Sequence, residues 1–247
     1  MIEQFPVNIK DYIHLYYKGY PLNRVKPVKT QTDVLFRLSK YPIRIVNRVS
    51  TYENPRAYQK LKYFTLKNEW FYMIPVLTVK CTVVGFIIRG IFTNDYNTIG
   101  RTFSDFKVQV PFMFGFDKSF MKFDRYKKCP PVIVCEGAKD CLTLKQIYPF
   151  VLSNNTSSMG ANAYVLRNMT NKFLLAYDND SAGHEGIEKD KKILRSTGAF
   201  VDDITFPEGI KDCCDLFINP KTCEQRFVEF NLLKQQVTRK LKQLYLI

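Results

Sequence analysis

Two short apolar runs that each end in an acid constrain this chain more than any other feature. Residues 173–177 (FLLAY) lead into Asp178, Asn179 and Asp180, then into Ser181, Ala182 and Gly183. Residues 131–135 (PVIVC) lead into Glu136 and Gly137. A short apolar run bounded by turn residues reads as a buried strand. The two acidic ends lie about 40 residues apart, which leaves room for the crossover of a dozen or more residues that a parallel pair needs. Both acids then fall at the carboxyl edge of one parallel sheet, where open α/β sheets place their ligands. Carboxylates at i and i+2, such as Asp178 and Asp180, can converge on a hard cation such as Mg²⁺. A pair of solvated loop acids has the same spacing.

The rest of the chain fits an alternating order in this half. The sequence predicts a helix over 138–148, a strand over 150–152 and a small-residue loop over 153–161 that contains Gly160. A charged helix follows Gly183 and stops at Gly198. Its Glu185, Glu188, Asp190, Lys191, Lys192 and Arg195 read as a solvated face. A strand over 200–206 comes next, and then a basic helix over 222–247. There Phe227, Phe230, Leu233, Val237 and Leu241 approximate the spacing of a buried stripe. Upstream the pattern changes. A short helix over 11–20 and a helical stretch at 57–63 precede two strands, 70–76 and 81–88. Their aromatic and β-branched content suits a hairpin. A polar turn over 94–98 follows. Residues 122–130 read as a linker, so the division expected is 1–130, 131–220 and a last helix over 221–247. The fold class is α/β: an α+β basic N-terminal part, then a mainly parallel sheet flanked by helices.

Charge is unevenly shared. Of 37 Lys and Arg in the 247 residues, 22 lie in residues 1–130 against 9 Asp and Glu; residues 131–247 hold 15 against 14. The excess of positive charge therefore sits beside the acid-bearing half, and a basic surface attracts polyanions such as nucleic acid. No stretch reaches eighteen apolar residues, so no membrane helix is expected. Seven cysteines without a C-x-x-C pair and only His14 and His184 argue against a structural zinc site. An odd cysteine count with no secretory signal points to reduced thiols in a cytoplasm.

The conjunction of Glu136-Gly137 with Asp178-Asn179-Asp180 resembles the Toprim domain of DnaG-type primases, topoisomerases and related enzymes. The continuations Ala138-Lys139-Asp140 and Ser181-Ala182-Gly183 resemble the primase branch. Upstream, Ile74-Pro75-Val76, Val83-Val84-Gly85-Phe86, Arg89, Arg101-Thr102-Phe103-Ser104 and Phe114-Gly115-Phe116 follow the order of the basic subdomain that precedes Toprim in those primases. Downstream, Pro207-Glu208-Gly209, Lys211-Asp212 and Asp215 resemble a further acidic motif, here with an extra Ile210 and with Cys213-Cys214 before Asp215.

The resemblance implies a primase: DNA-templated synthesis of short RNA primers from ribonucleoside triphosphates on single-stranded DNA. It implies Mg²⁺ or Mn²⁺ held by Glu136, Asp178, Asp180, Asp212 and Asp215, with Glu136, Asp178 and Asp180 as the catalytic acids. Nucleotide or template would be bound by Arg89, Arg101, Lys107, Asp140, Gly160 and Lys211. It implies a compact core of the kind phages and plasmids encode, acting in a bacterial cytoplasm without membrane attachment. A replicative helicase or a separate zinc-binding module are the protein partners it suggests. Two other readings stay open on the same residues: a Toprim nuclease using water as nucleophile, and a nucleic-acid-binding protein without chemistry.

Overall fold

The computed structural model describes residues 9–47, 70–92, 96–100, 113–123, 129–160 and 162–246. Their strands form two sheets. The first is antiparallel and runs in chain order: β1 (Tyr20–Pro21), β2 (Arg44–Asn47), β3 (Trp70–Leu77), β4 (Val83–Gly90) and β5 (Tyr96–Gly100). The second holds β6 (Val132–Cys135), β7 (Val151–Ser153), β8 (Lys172–Ala176) and β9 (Phe200–Asp203), all parallel, in the order β7-β6-β8-β9. The helices are α1 (Ile9–Lys18), α2 (Gln31–Leu38), α3 (Ala138–Leu144), α4 (Asn162–Arg167), α5 (Ser181–Ser196), α6 (Cys213–Phe217) and α7 (Phe227–Leu246). The expected class, an α+β first part and a parallel α/β second part, is the one observed.

Side-chain alternation assigns each strand to two cores, because successive residues of a strand point to opposite faces. In β8, Leu174 and Ala176 join one cluster, while Phe173 and Leu175 join another on the opposite face. In β6, Ile133 and Cys135 pack with the first, Val132 and Val134 with the second. In β3, Phe71 and Met73 face a small cluster with Leu15 and Tyr16 of α1, while Tyr72, Ile74 and Val76 face the largest one. That largest cluster also takes Leu35 and Phe36 of α2, Cys141 and Leu144 of α3, and Leu233, Val237, Leu241 and Leu244 of α7. The two sheets therefore share one core, and helix α2 of the first part packs on α3 of the second.

A backbone bridge reinforces this. The Phe114 N–H donates to Ser153 O (2.9 Å), and the Ser153 N–H donates to Phe114 O (2.8 Å), so Phe114 pairs antiparallel with the outer edge of β7. Gly115 follows at φ +111°, and a Cβ there would stand 2.5 Å from Val151 O. Only glycine allows so close an approach.

The structure corrects several expected boundaries. The helix expected to reach 148 ends at Leu144, and the strand expected to reach 206 ends at Asp203. The second hairpin strand starts at Val83 rather than Cys81, because Cys81 takes φ +57° in the turn. Of the residues expected as a polar turn at 94–98, Tyr96, Asn97 and Thr98 belong to β5, the outer strand of this sheet among the described residues, whose ladder runs from Gly85↔Gly100 to Arg89↔Tyr96, while residues 94 and 95 lie outside the described residues. An outer strand is held by its ladder and needs little apolar pattern. Helix α2, strand β2 and helix α4 had no expected counterpart. In α7 Leu233, Val237 and Leu241 are buried, but Phe227 is exposed. The helical stretch expected at 57–63 lies outside the described residues.

Candidate active site

Three chain turns at the carboxyl edge of the parallel sheet build the site. The first follows β6. Glu136 leaves the sheet half-buried, and Gly137 starts α3 at a position where a Cβ would stand 2.8 Å from Asp140 Oδ2. Asp140, in the first turn of the helix, is 4% exposed and its Oδ1 accepts the Cys214 N–H at 3.2 Å.

The second follows β8. Tyr177 is buried, and then Asp178 turns toward the first loop, its N–H donating to Glu136 Oε1 at 3.2 Å. Asp180 is the N-cap of α5, its Oδ1 accepting the Gly183 N–H at 3.0 Å. A carboxylate at this place satisfies an otherwise unpaired donor of the first helical turn. Gly183 and Gly186 let the helix lie against the loops. A Cβ on Gly183 would stand 2.0 Å from Asp178 O, and one on Gly186 1.7 Å from Ser157 O.

The third turn precedes α6. The Asn179 N–H donates to Lys211 O (2.7 Å) and Asn179 Nδ2 to Ile210 O (2.9 Å), which pins this turn beside the second. Asp212 is the N-cap of α6, its Oδ1 accepting the Asp215 N–H at 2.8 Å.

The result is a triad. Carboxylate oxygens of Asp140, Asp178 and Asp212 lie within 4.8 Å of one another. Burial, with Asp212 and then Asp178 close by, pushes the Asp140 carboxyl well above the ordinary range. Burial, followed by Asp212, raises Asp178. Burial raises Asp212, although Lys139 opposes the shift, and burial with Asp178 raises Glu136. Desolvation and like charge both disfavour ionised carboxylates, and a cation relieves both. The Lys211 ammonium lies 3.4 Å from Asp178 Oδ2 and 3.9 Å from Asp180 Oδ2; Asp178 raises its pKa. An all-oxygen set of hard donors suits Mg²⁺ or Mn²⁺.

A cleft opens over the triad. One wall is Glu136, Lys139, Asp140, Asp178, Lys211 and Asp212, with Asn155 and Thr156 from the loop after β7. The facing wall comes from the first sheet and α2: Phe36, Ile74, Ile87 and Arg89. Of the residues expected at a site, Arg89, Glu136, Asp140, Asp178, Lys211 and Asp212 line this cleft. Asp180 sits at its rim as a helix cap, with its side chain 46% exposed. Asp215 is half-buried and takes a hydrogen bond from Gln31 Nε2 at 2.9 Å. Gly160 lies outside the lining, at φ +52° in the small-residue loop. Arg101 and Lys107 lie outside the described residues.

Sequence reasoning missed Lys139 and Phe36 in the cleft wall, and Gln31 behind it. It also misplaced Asp190, expected on a solvated face. Asp190 is fully buried and accepts from Ser158 Oγ (2.9 Å), the Met159 N–H (2.7 Å) and the Tyr177 hydroxyl, which ties the loop after β7 to α5. The signal was present: Gly183, Gly186, Ile187, Asp190 and Leu194 share one helical face.

Comparison with known proteins places this geometry. Residues 133–217 match a family described as Toprim-like. A DNA primase of Clostridium acetobutylicum is 32% identical over 105 residues, which cover 40% of this chain and 17% of that protein's length. Among solved structures, the DnaG primase catalytic domain bound to single-stranded DNA matches with a TM-score of 0.63 at 18% identity, over 96% of this chain and 80% of that one. The zinc-binding and RNA polymerase domains of Aquifex aeolicus primase match at 0.58 and 17% identity, over 96% and 56%. The Escherichia coli primase catalytic core matches at 0.56 and 17% identity, over 97% and 74%. The chain therefore carries a Toprim-like domain within the fold of the DnaG-type primase catalytic core.

Proposed function

We propose that this chain is a DNA primase that joins ribonucleoside triphosphates into short RNA primers on a single-stranded DNA template, with Mg²⁺ or Mn²⁺. One observation carries the proposal. Arg89, from the antiparallel sheet, lines the same cleft as the Asp140, Asp178 and Asp212 triad, from the parallel one. A phosphoryl-transfer site needs cations to neutralise phosphate charge and groups that hold the reacting ends in line. Asp140, Asp178 and Asp212 would hold the divalent ion, with Asp180 and Glu136 beside them; the ion supplies charge neutralisation for the triphosphate. Glu136, half-buried and with its pKa raised by burial and Asp178, is suited to accept a proton from an attacking 3′-hydroxyl. Arg89 and Lys211 supply positive charge on either side for phosphates of triphosphate or template.

The similarity to DNA primases supports this reading, as does the positive charge concentrated in residues 1–130. The division into 1–130, 131–220 and 221–247 belongs to the same proposal, as do a replicative helicase or a zinc-binding module as partners and action in a bacterial cytoplasm on behalf of a phage or plasmid. Among the described residues no helix is long and apolar enough to cross a membrane.

The test is primer synthesis on single-stranded DNA with labelled ribonucleotides and Mg²⁺ or Mn²⁺, beside Asp178→Ala. Short labelled RNA from the wild type and none from the variant is the expected result. Metal-dependent cutting of the strand without RNA overturns the proposal in favour of a Toprim nuclease.

A further inference from the structure

Gln31 opens α2, outside the residues that match the Toprim-like family. Its side-chain amide is fully engaged. Nε2 donates to Asp215 Oδ1 and to Ile218 O, both at 2.9 Å, and Oε1 accepts from Lys139 Nζ at 2.9 Å. This arrangement fixes which end of the amide faces which partner. The helix beneath is itself anchored. Thr30 caps it, and the buried Asp33 carboxylate accepts from the Tyr72 hydroxyl of β3 (3.0 Å), the Val28 N–H (3.1 Å) and Arg37 Nε (2.8 Å). The first sheet therefore sets where Gln31 stands, while its partners Lys139 and Asp215 belong to α3 and α6, the helices at whose starts Asp140 and Asp212 lie.

The triad attracts any cation within reach, and two lysines are in reach. Lys211 already lies 3.4 Å from Asp178. Lys139 precedes Asp140 in α3, and its charge acts on both Asp140 and Asp212. Yet Lys139 gives its hydrogen bond to Gln31. A lysine on a flexible four-carbon stem, released beside two buried carboxylates, would pair with them and compete with a divalent ion.

We propose that Gln31 is a positioning residue for the metal-binding carboxylates: by tethering Lys139 on one side and Asp215 on the other, it keeps the Lys139 ammonium from closing over Asp140 and Asp212. This inference rests on the metal-dependent reading of the site. It makes the first part of the chain a determinant of metal affinity in the second, through one amide.

The experiment is a Mn²⁺ titration of the full chain, with free Mn²⁺ read by electron paramagnetic resonance. It compares wild type, Gln31→Leu, Lys139→Met and the double variant. Leucine keeps the bulk between Lys139 and Asp215 and removes all three side-chain hydrogen bonds. Groups that orient metal ligands typically change affinity by tenfold or more, so Gln31→Leu should bind Mn²⁺ about tenfold more weakly. Lys139→Met should bind at least as tightly as wild type. The double variant should recover to within about twofold of Lys139→Met, because the competing ammonium is gone. A purely structural role for Gln31 predicts no such recovery. An unchanged affinity in Gln31→Leu, or a double variant as weak as Gln31→Leu, overturns the inference. If the wild type binds Mn²⁺ and Gln31→Leu binds equally well, the inference alone falls; if the wild type binds none, the metal reading falls with it.

Discussion

Asp212→Asn should make the metal-free chain more stable and the metal-loaded chain less so. Asparagine caps a helix about as well as aspartate, so the bond from the Asp215 N–H survives and only a charge is lost. At 4.8 Å, the outer limit of the triad's spacing, two unit charges repel by about 3.5 kcal/mol at an effective dielectric of about 20 and by about 1 kcal/mol in water. Asp212 raises both Asp140 and Asp178, and Asp215 in turn raises Asp212, so its charge is opposed from more than one side. Lys139 offsets part of the repulsion. A net gain of about 1–2 kcal/mol in EDTA remains, which corresponds to a melting temperature higher by about 3–6 °C for a chain of this size. In excess Mg²⁺ the order should invert. An ion present at one hundred times its dissociation constant stabilises the wild type by about 2.7 kcal/mol, and the variant loses most of that. Scanning calorimetry of both chains, in EDTA and in Mg²⁺, reads all four values. A variant that melts lower than wild type in EDTA, or that gains as much from Mg²⁺, would refute the reasoning that these carboxylates are held together against their repulsion.

Three further outcomes follow from the same geometry. Glu136, Asp140, Asp178 and Asp212 all have folded-state pKa values above the ordinary carboxylate range, so the folded chain binds more protons than the unfolded one; metal-free stability should therefore fall as pH rises from about 4 toward neutrality, and Mg²⁺ should flatten that fall, as pH-dependent melting would read. Gly186→Ala places a methyl group 1.7 Å from Ser157 O, and overpacking of that kind should cost about 2–3 kcal/mol in chemical denaturation. Arg89→Ala should weaken binding of single-stranded DNA or triphosphate and lower the slope of log affinity against log salt by about one, without moving the melting temperature by more than a few degrees; an unchanged slope would remove Arg89 from phosphate contact.

What could be read from the chain alone followed from how local each signal is. The β6 and β8 runs and the acids after them were legible because a buried parallel strand is a continuous apolar run and its exit is abrupt. The β3–β4 hairpin was legible from its aromatic and β-branched residues. Helix α2 was not, because its sequence, QTDVLFRL, mixes polar and apolar residues over only eight positions. Its stability comes from Asp33 and from Leu35 and Phe36 in the shared core, contacts with residues far along the chain. Gln31 and Lys139 were missed for the same reason: their roles exist only once α2 meets α3. Asp190 failed differently. Its position on the buried face of α5 was readable, but a carboxylate there is tolerated only because three donors converge on it from elsewhere.

The bridge between Phe114 and Ser153 also bears on how this chain avoids sticking to itself. The parallel sheet ends on one side at β7 and on the other at β9. A bare outer strand offers unpaired amides and carbonyls to any passing segment, which is how aggregates begin. At β7 that offer is withdrawn by the paired backbone of Phe114. At β9, Asp202 and Asp203 carry charge on the outer strand and are engaged by Lys240 of α7 and Lys191 of α5. A second copy seeking to add a strand would have to displace the Phe114–Ser153 hydrogen bonds at one edge and would meet charged residues on the other, which discourages strand pairing. The acidic cleft thus sits on a sheet with one edge partly paired and the other charged.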